Sequence, residues 1–166
     1  MKNILFVSLI ALAVVVGVGL YVWSQQDRED RSQEGRLVKL YYYNQEKDKD
    51  ETGNLLCSQN GLVAVEREIP LTQTPIQDTI RTLLLGELSE LEREQGIETE
   101  YPLEGFSLKG ASLRDGVLSL EFEDVNNRTV GGSCRVGILW FQIEATAKQF
   151  EEVSQVRFLP EELFQP

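Results

Sequence analysis

The chain has 166 residues, 42% of them hydrophobic and 26% charged, with a formal net charge of -11 and no histidine. That acidity excludes nucleic acid and flat binding to anionic lipid, since both need clustered Lys and Arg. Without histidine the chain lacks the commonest general base and transition-metal ligand, and its two cysteines are too few for a Cys-and-His zinc site.

The first feature in chain order is an uncharged run, ILFVSLIALAVVVGVGLYVW, from Ile4 to Trp23. As a helix rising ~1.5 Å per residue it spans the ~30 Å hydrocarbon core, with Tyr21 and Trp23 at one interface. No small-residue cleavage site follows it, so residues 1–23 read as an uncleaved single-pass anchor rather than a signal peptide. Lys2 marks the short flank as cytoplasmic, but Arg28, Arg31 and Arg36 lie on the other flank. Charge alone therefore leaves the orientation open. Residues 24–36 are a polar stalk, up to ~40 Å long when extended. Residues 37–166 make one domain.

Within that domain, Arg36–Asn44 is β-branched and aromatic and predicts a strand. A polar loop containing Cys57 follows, and then Gly61–Pro70 predicts a second strand with Val63, Val65 and Ile69 on one face. Thr74, Pro75 and Gln77 punctuate the start of a helix whose stripe is Ile76, Ile80, Leu83 and Leu84, stopped at Gly86. Ser89 and Glu92 open a short helix that stops at Gly96. Asp115-Gly116 is a two-residue turn between two further strands, the second with Leu118, Leu120 and Phe122 inward. A long helix, capped by Ser133, buries Val136, Leu139, Trp140, Ile143, Ala147 and Phe150. Val156 and Phe158 point inward from a last short strand. Hairpins mixed with two main helices predict an α+β fold: a small mixed or antiparallel sheet with the helices packed on one face.

Few residues offer chemistry. Cys134 opens the long helix, where the dipole favours a thiolate. With no histidine as its base and Arg135 its only adjacent cation, a nucleophile competes with a pair of free thiols and a disulfide to Cys57. Asp48, Asp50, Thr52 and Gly53 are spaced like the start of a calcium loop, but Gln59 stands where a bidentate Glu belongs, so a solvated loop is the better account. Glu121 and Glu123 alternate on the wet face of a strand, and Gly131–Ser133 lacks the lysine of a phosphate loop. No catalytic, cofactor or metal residue is assigned. Phe141, beside Trp140 on the long helix, and Leu163 and Phe164 in the tail are the place to look for a partner surface, with core or tail packing the more frequent account of such residues.

The segments VKLYYYN, LVAVEREIP, TPIQDTIRTLLLGELSELEREQGIETEYP, ASLRDGVLSLEF and ILWFQIEATAKQFEEVSQVRF, in that order, resemble the GerMN domain, the sporulation-and-germination module of bacterial envelope proteins. The resemblance runs from about Leu37 to Phe158. It implies a compact module similar to the ring-building motifs of secretion and sporulation assemblies, placed outside the cytoplasm and used in assembly rather than chemistry. The chain departs from the sporulation member, a lipoprotein with tandem modules, in having one module and a membrane helix. In such a compartment a Cys57–Cys134 disulfide becomes the preferred state of the two cysteines. The expected function is a non-catalytic, membrane-tethered module that binds itself or another envelope protein. The alternative is an envelope sensor or carrier for a small ligand or cation.

Overall fold

The computed structural model describes residues 35–165. The expected anchor, residues 1–23, and the stalk up to residue 34 lie outside the described residues. Among the described residues no helix is long and apolar enough to cross a membrane.

The elements follow in the expected order: β1 (Gly35–Tyr43), β2 (Leu62–Pro70), α1 (Pro75–Leu84), α2 (Glu90–Glu94), β3 (Phe106–Arg114), β4 (Val117–Asp124), α3 (Ser133–Lys148) and β5 (Gln155–Leu159). Short 3₁₀ turns at Gln45–Lys47 and Gln59–Gly61 bracket the β1–β2 loop. Local chemistry explains the boundaries. Ser89 and Glu92 form the reciprocal capping box that opens α2. Asp115 and Gly116, at φ 49 and 80°, make the tight turn between β3 and β4. Gly86, at φ +64°, lies against the Tyr101 carbonyl, which a Cβ would strike at 1.8 Å.

Two caps differ from expectation. The Thr74 hydroxyl does not cap α1; it donates to Asp78 at 3.2 Å, a charged acceptor outcompeting a backbone amide. Ser133 is the first helical residue of α3, and Gly132 before it holds the cap position without a side-chain hydrogen bond.

The expected single sheet is instead two. β1 and β2 pair antiparallel from Gly35↔Pro70 to Tyr43↔Leu62. β3, β4 and β5 form a separate sheet in that order, with β3–β4 antiparallel and β4–β5 parallel, joined by the α3 crossover. What divides them is visible at the free edge of β1. There the Lys39 N–H donates to Gln149 Oε1 (2.7 Å), Gln149 Nε2 donates to the Lys39 carbonyl (2.6 Å), and the Tyr41 N–H donates to Thr146 Oγ1 (3.0 Å). Side chains at the end of α3 thus occupy the groups that another strand would need. Tyr43 completes the edge by exchanging backbone hydrogen bonds with Glu98.

The helices serve both sheets rather than one face of one sheet. α1 and α3 pack on each other; α1 also touches β1 and β3, and α3 touches β1 and β5. The core follows from alternation and helical spacing: Val38, Leu40 and Tyr42 from β1, Ile80 and Leu83 from α1, Leu118, Leu120 and Phe122 from β4, and Val136, Leu139, Ile143 and Ala147 from α3. Beneath β5 lies an aromatic cluster. Phe122 stacks on Phe106 at 4.9 Å between centroids, Trp140 meets Phe158 at 4.6 Å, and Phe164 sits edge-on to Phe158 at 5.2 Å.

That cluster corrects the expected partner surface. Leu163 and Phe164 are buried, at 8% and 3% exposure, because the tail folds back over the sheet and uses them to close the core. Phe141 is half-buried on α3, its ring beside Gly137. The three residues therefore form no common exposed patch.

Candidate functional site

β1 is nine residues long, or about 30 Å at ~3.3 Å per residue. The chain therefore enters the domain at Gly35 and reaches the β1–β2 loop, residues 44–61, at the opposite end. Because α3 runs back towards Gly35, its N-terminus also lies at that far end, and the two are bonded there. Cys57 and Cys134 form a disulfide with Cα atoms 5.1 Å apart across a separation of 77 residues. No thiolate is left to act as a nucleophile. Arg135 is committed as well: its Nε lies 2.7 Å from Glu100 Oε2, and its Nη1 donates to the Arg128 and Val130 carbonyls.

A second latch holds the same loop. Asp48 is 1% exposed, and its carboxylate accepts the Ser58 N–H (2.6 Å), the Ser58 hydroxyl and the Tyr43 hydroxyl, while its carbonyl accepts the Leu56 N–H (2.8 Å). Burial pushes this carboxyl up, but the hydrogen bonds from Ser58 and Tyr43 outweigh it and hold Asp48 below the usual carboxylate value. Burial, and then the bond to Asp48, pushes the Tyr43 phenol up.

Asp50 turns the loop tip. It accepts hydrogen bonds from the backbone and side chains of Thr52 and Asn54, and these pull it well below the usual carboxylate range. The spacing that resembles a calcium loop therefore encodes a self-satisfied turn, and no three His, Cys, Asp or Glu side chains converge among the described residues. Glu121 and Glu123 are exposed on β4, with Glu123 paired to Lys109 at 2.9 Å.

The loop presents Leu55 and Leu56, exposed by 37% and 52%, beside the disulfide. Val130, 53% exposed, lies four residues before Cys134. A cleft of about 170 Å³ opens between α3 and the segment that pairs with Tyr43. Tyr43, Gln45, Glu98, Thr99, Ile138 and Gln142 line it. Gln142 is fully buried; its oxygen accepts the Thr99 hydroxyl at 2.8 Å, and its nitrogen donates to the Ile138 carbonyl at 3.2 Å. Sequence reasoning missed Gln142, and it singled out Asp48 for a calcium-like spacing rather than for its role as a buried latch. Gln142 was detectable as a polar residue between stripe positions 139 and 143, whereas no local signal shows that Asp48 is buried against Ser58 and Tyr43.

A family model described as sporulation and spore germination, Germane, matches residues 39–162. Among solved structures, the chain is similar to the tandem GerMN domains of the sporulation protein GerM from Bacillus subtilis, with TM-score 0.52 and 17% identity over 77% of this chain and 40% of that one. The chain thus spans less than half of that tandem structure, and at this identity the likeness concerns the fold. It is also similar to the first GerMN domain of the same protein, with TM-score 0.49 and 14% identity, covering 77% and 86% of the two chains. No curated protein matches the chain.

Proposed function

The chain belongs to the Germane family of sporulation and spore germination domains, and we propose that it is a non-catalytic, membrane-tethered assembly module on the outer side of the bacterial cell membrane. The observation that carries this reading is the Cys57–Cys134 disulfide. Such bonds persist in oxidising compartments, which supports an extracytoplasmic domain. The apolar run Ile4–Trp23 supplies the tether, and Gly35, where the described residues begin, lies at the end of β1 opposite the disulfide.

The loop chemistry favours binding over catalysis. Both cysteines are spent on a crosslink, and Asp48 and Asp50 on structural hydrogen bonds. Two independent latches hold a loop with exposed leucines, which suits a preorganised surface because ordering costs are met on folding rather than on binding. Photo-crosslinking in native membranes, with the reactive residue replacing Leu56, tests the reading. A reproducible crosslink to a second copy or to one envelope protein is expected. Monomer alone from every surface position tried would overturn it.

A further inference from the structure

We infer that the outer edge of β2 takes an extended segment of a partner protein as an added antiparallel strand, with lysine or arginine at alternate positions of that segment. The inference rests on the assembly reading and specifies the chemistry of its partner. Register decides which backbone groups are free. On β1 the N–H groups of Lys39, Tyr41 and Tyr43 point away from β2, towards Gln149, Thr146 and Glu98. Backbone groups alternate in direction along a strand, and the pairing runs Val38↔Arg67, Leu40↔Val65 and Tyr42↔Val63. Val63, Val65 and Arg67 therefore bond to β1, while Ala64, Glu66 and Glu68 turn their backbone groups outward. All three of these are exposed. Among the described residues the N–H and C=O groups of Ala64 and Glu68 and the N–H of Glu66 have no hydrogen-bond partner; the Glu66 carbonyl accepts Arg67 Nη1 at 2.9 Å. The sheet thus closes its β1 edge with side chains and leaves the nine-residue β2 open, and an open edge is a template for another strand.

Side chains then select what can pair there. Glu66 and Glu68 stand on the solvent face of β2, and neither carboxylate has an ion-pair or hydrogen-bond partner among the described residues, Lys39 opposite Glu66 included. An added strand sets its own side chains directly across from these, where opposite charges attract and like charges repel. Lysine or arginine two residues apart meets both carboxylates. The intervening side chains fall on the other face, beside Val63, Val65 and the Arg67 guanidinium, where apolar residues fit and a further cation does not. A second copy would bring its own Glu66 and Glu68 to the edge, together with a net charge of -11.

The test uses the full chain in zwitterionic detergent micelles, with the capped peptide TKVKVKT as probe. Its counterparts are TEVEVET and a TKVKVKT methylated on the lysine backbone nitrogens, which cannot donate to the edge. Amide exchange with water is read by NMR at Ala64, Glu66 and Glu68, with Val65, bonded to β1, as internal reference. At about ten times its dissociation constant the lysine peptide should slow the three outward amides about tenfold and leave Val65 unchanged. Neither counterpart should slow them, and Glu66→Gln with Glu68→Gln should weaken the lysine peptide about five- to tenfold, as for two cross-strand charge pairs. Both substitutions lie on the solvent face and leave the core intact. Unprotected outward amides, equal protection by either counterpart, or undiminished binding by the double variant would overturn the proposal. Slow exchange at these amides before any peptide is added would mean that a second copy or the chain's own N-terminal segment covers the edge, and would overturn it too. If position 56 crosslinks to a partner while the lysine peptide fails, the edge falls and the assembly reading stands. If the peptide adds to the edge but no surface position captures any protein, the assembly reading falls and takes with it the assignment of the edge to a partner's segment.

Discussion

Asp48 shows how one side chain can decide the shape of a loop. A carboxylate at 1% exposure is tolerated because each of its oxygens is hydrogen-bonded to Ser58 or Tyr43. Asp48→Asn keeps the size but removes the charge, and it should cost about 1.5–3 kcal/mol, the range for hydrogen bonds to charged groups. Urea unfolding with the disulfide intact measures this. The pH dependence has a definite sign. A carboxyl whose folded pKa is depressed contributes stability above its unfolded value, ~3.9 for Asp, and loses it as pH falls through the folded value. Wild type should therefore weaken below about pH 4, and Asp48→Asn should flatten part of that slope. A variant with an unchanged acid slope would contradict the latch.

Arg67 and Glu92 behave similarly between elements. The guanidinium forks onto Glu92 at 2.8 and 2.7 Å and also donates to the Glu66 and Glu87 carbonyls, joining β2 to the start of α2. Glu92 is lowered to about 2, chiefly by that fork. Lysine cannot reproduce it, so Arg67→Lys should raise the Glu92 pKa towards its free value of ~4.3. The carboxyl carbon shift of Glu92, followed from pH 6 to 2, reads this directly.

Among the elements, β1 is the most informative. Its alternation, with Val38, Leu40 and Tyr42 inward, marks it as a strand but says nothing about what lies along its edge. The sequence pattern therefore predicts one sheet where the molecule builds two. The cause is side-chain chemistry at the end of α3, where Thr146 and Gln149 replace a strand; in sequence they are two polar residues on a helix whose stripe reads 136, 139, 143, 147. Gln149→Ala should speed hydrogen exchange of the Lys39 amide and cost about 1 kcal/mol. It should also promote aggregation by baring the edge. Unchanged exchange at Lys39 would show that the edge is protected by something else. By contrast, the α2 capping box and the Asp115-Gly116 turn were fully legible, because their signals are local. Leu163 and Phe164, a possible partner surface by sequence, pack into the core instead, and nothing near them in sequence shows that the tail folds back onto Phe106, Phe122 and Phe158.

At the scale of the whole molecule, the crosslink and the core divide the work. The two sheets share α1 and α3, so a single core holds the domain together, and the Cys57–Cys134 bond ties the loop to the start of α3. In the chain-entropy view, closing a loop of this size stabilises by about 4.5 kcal/mol. Cys57→Ser with Cys134→Ser should therefore lower the unfolding free energy by up to that amount. The domain should still fold, because the Asp48 latch and the core remain. Loss of all cooperative unfolding in the double variant would mean that the core is insufficient by itself.

The reading as an outward-facing module rests on that bond existing in the cell. The direct measurement is to quench intact cells in acid, alkylate, reduce, alkylate with a heavier reagent, and weigh the Cys57 and Cys134 peptides from the membrane fraction. The account predicts that both cysteines take only the second label and that, without reductant, they are recovered as one linked peptide. If both carried the first label in freshly quenched cells, the bond would be absent in vivo, and the extracytoplasmic, disulfide-locked platform would be contradicted.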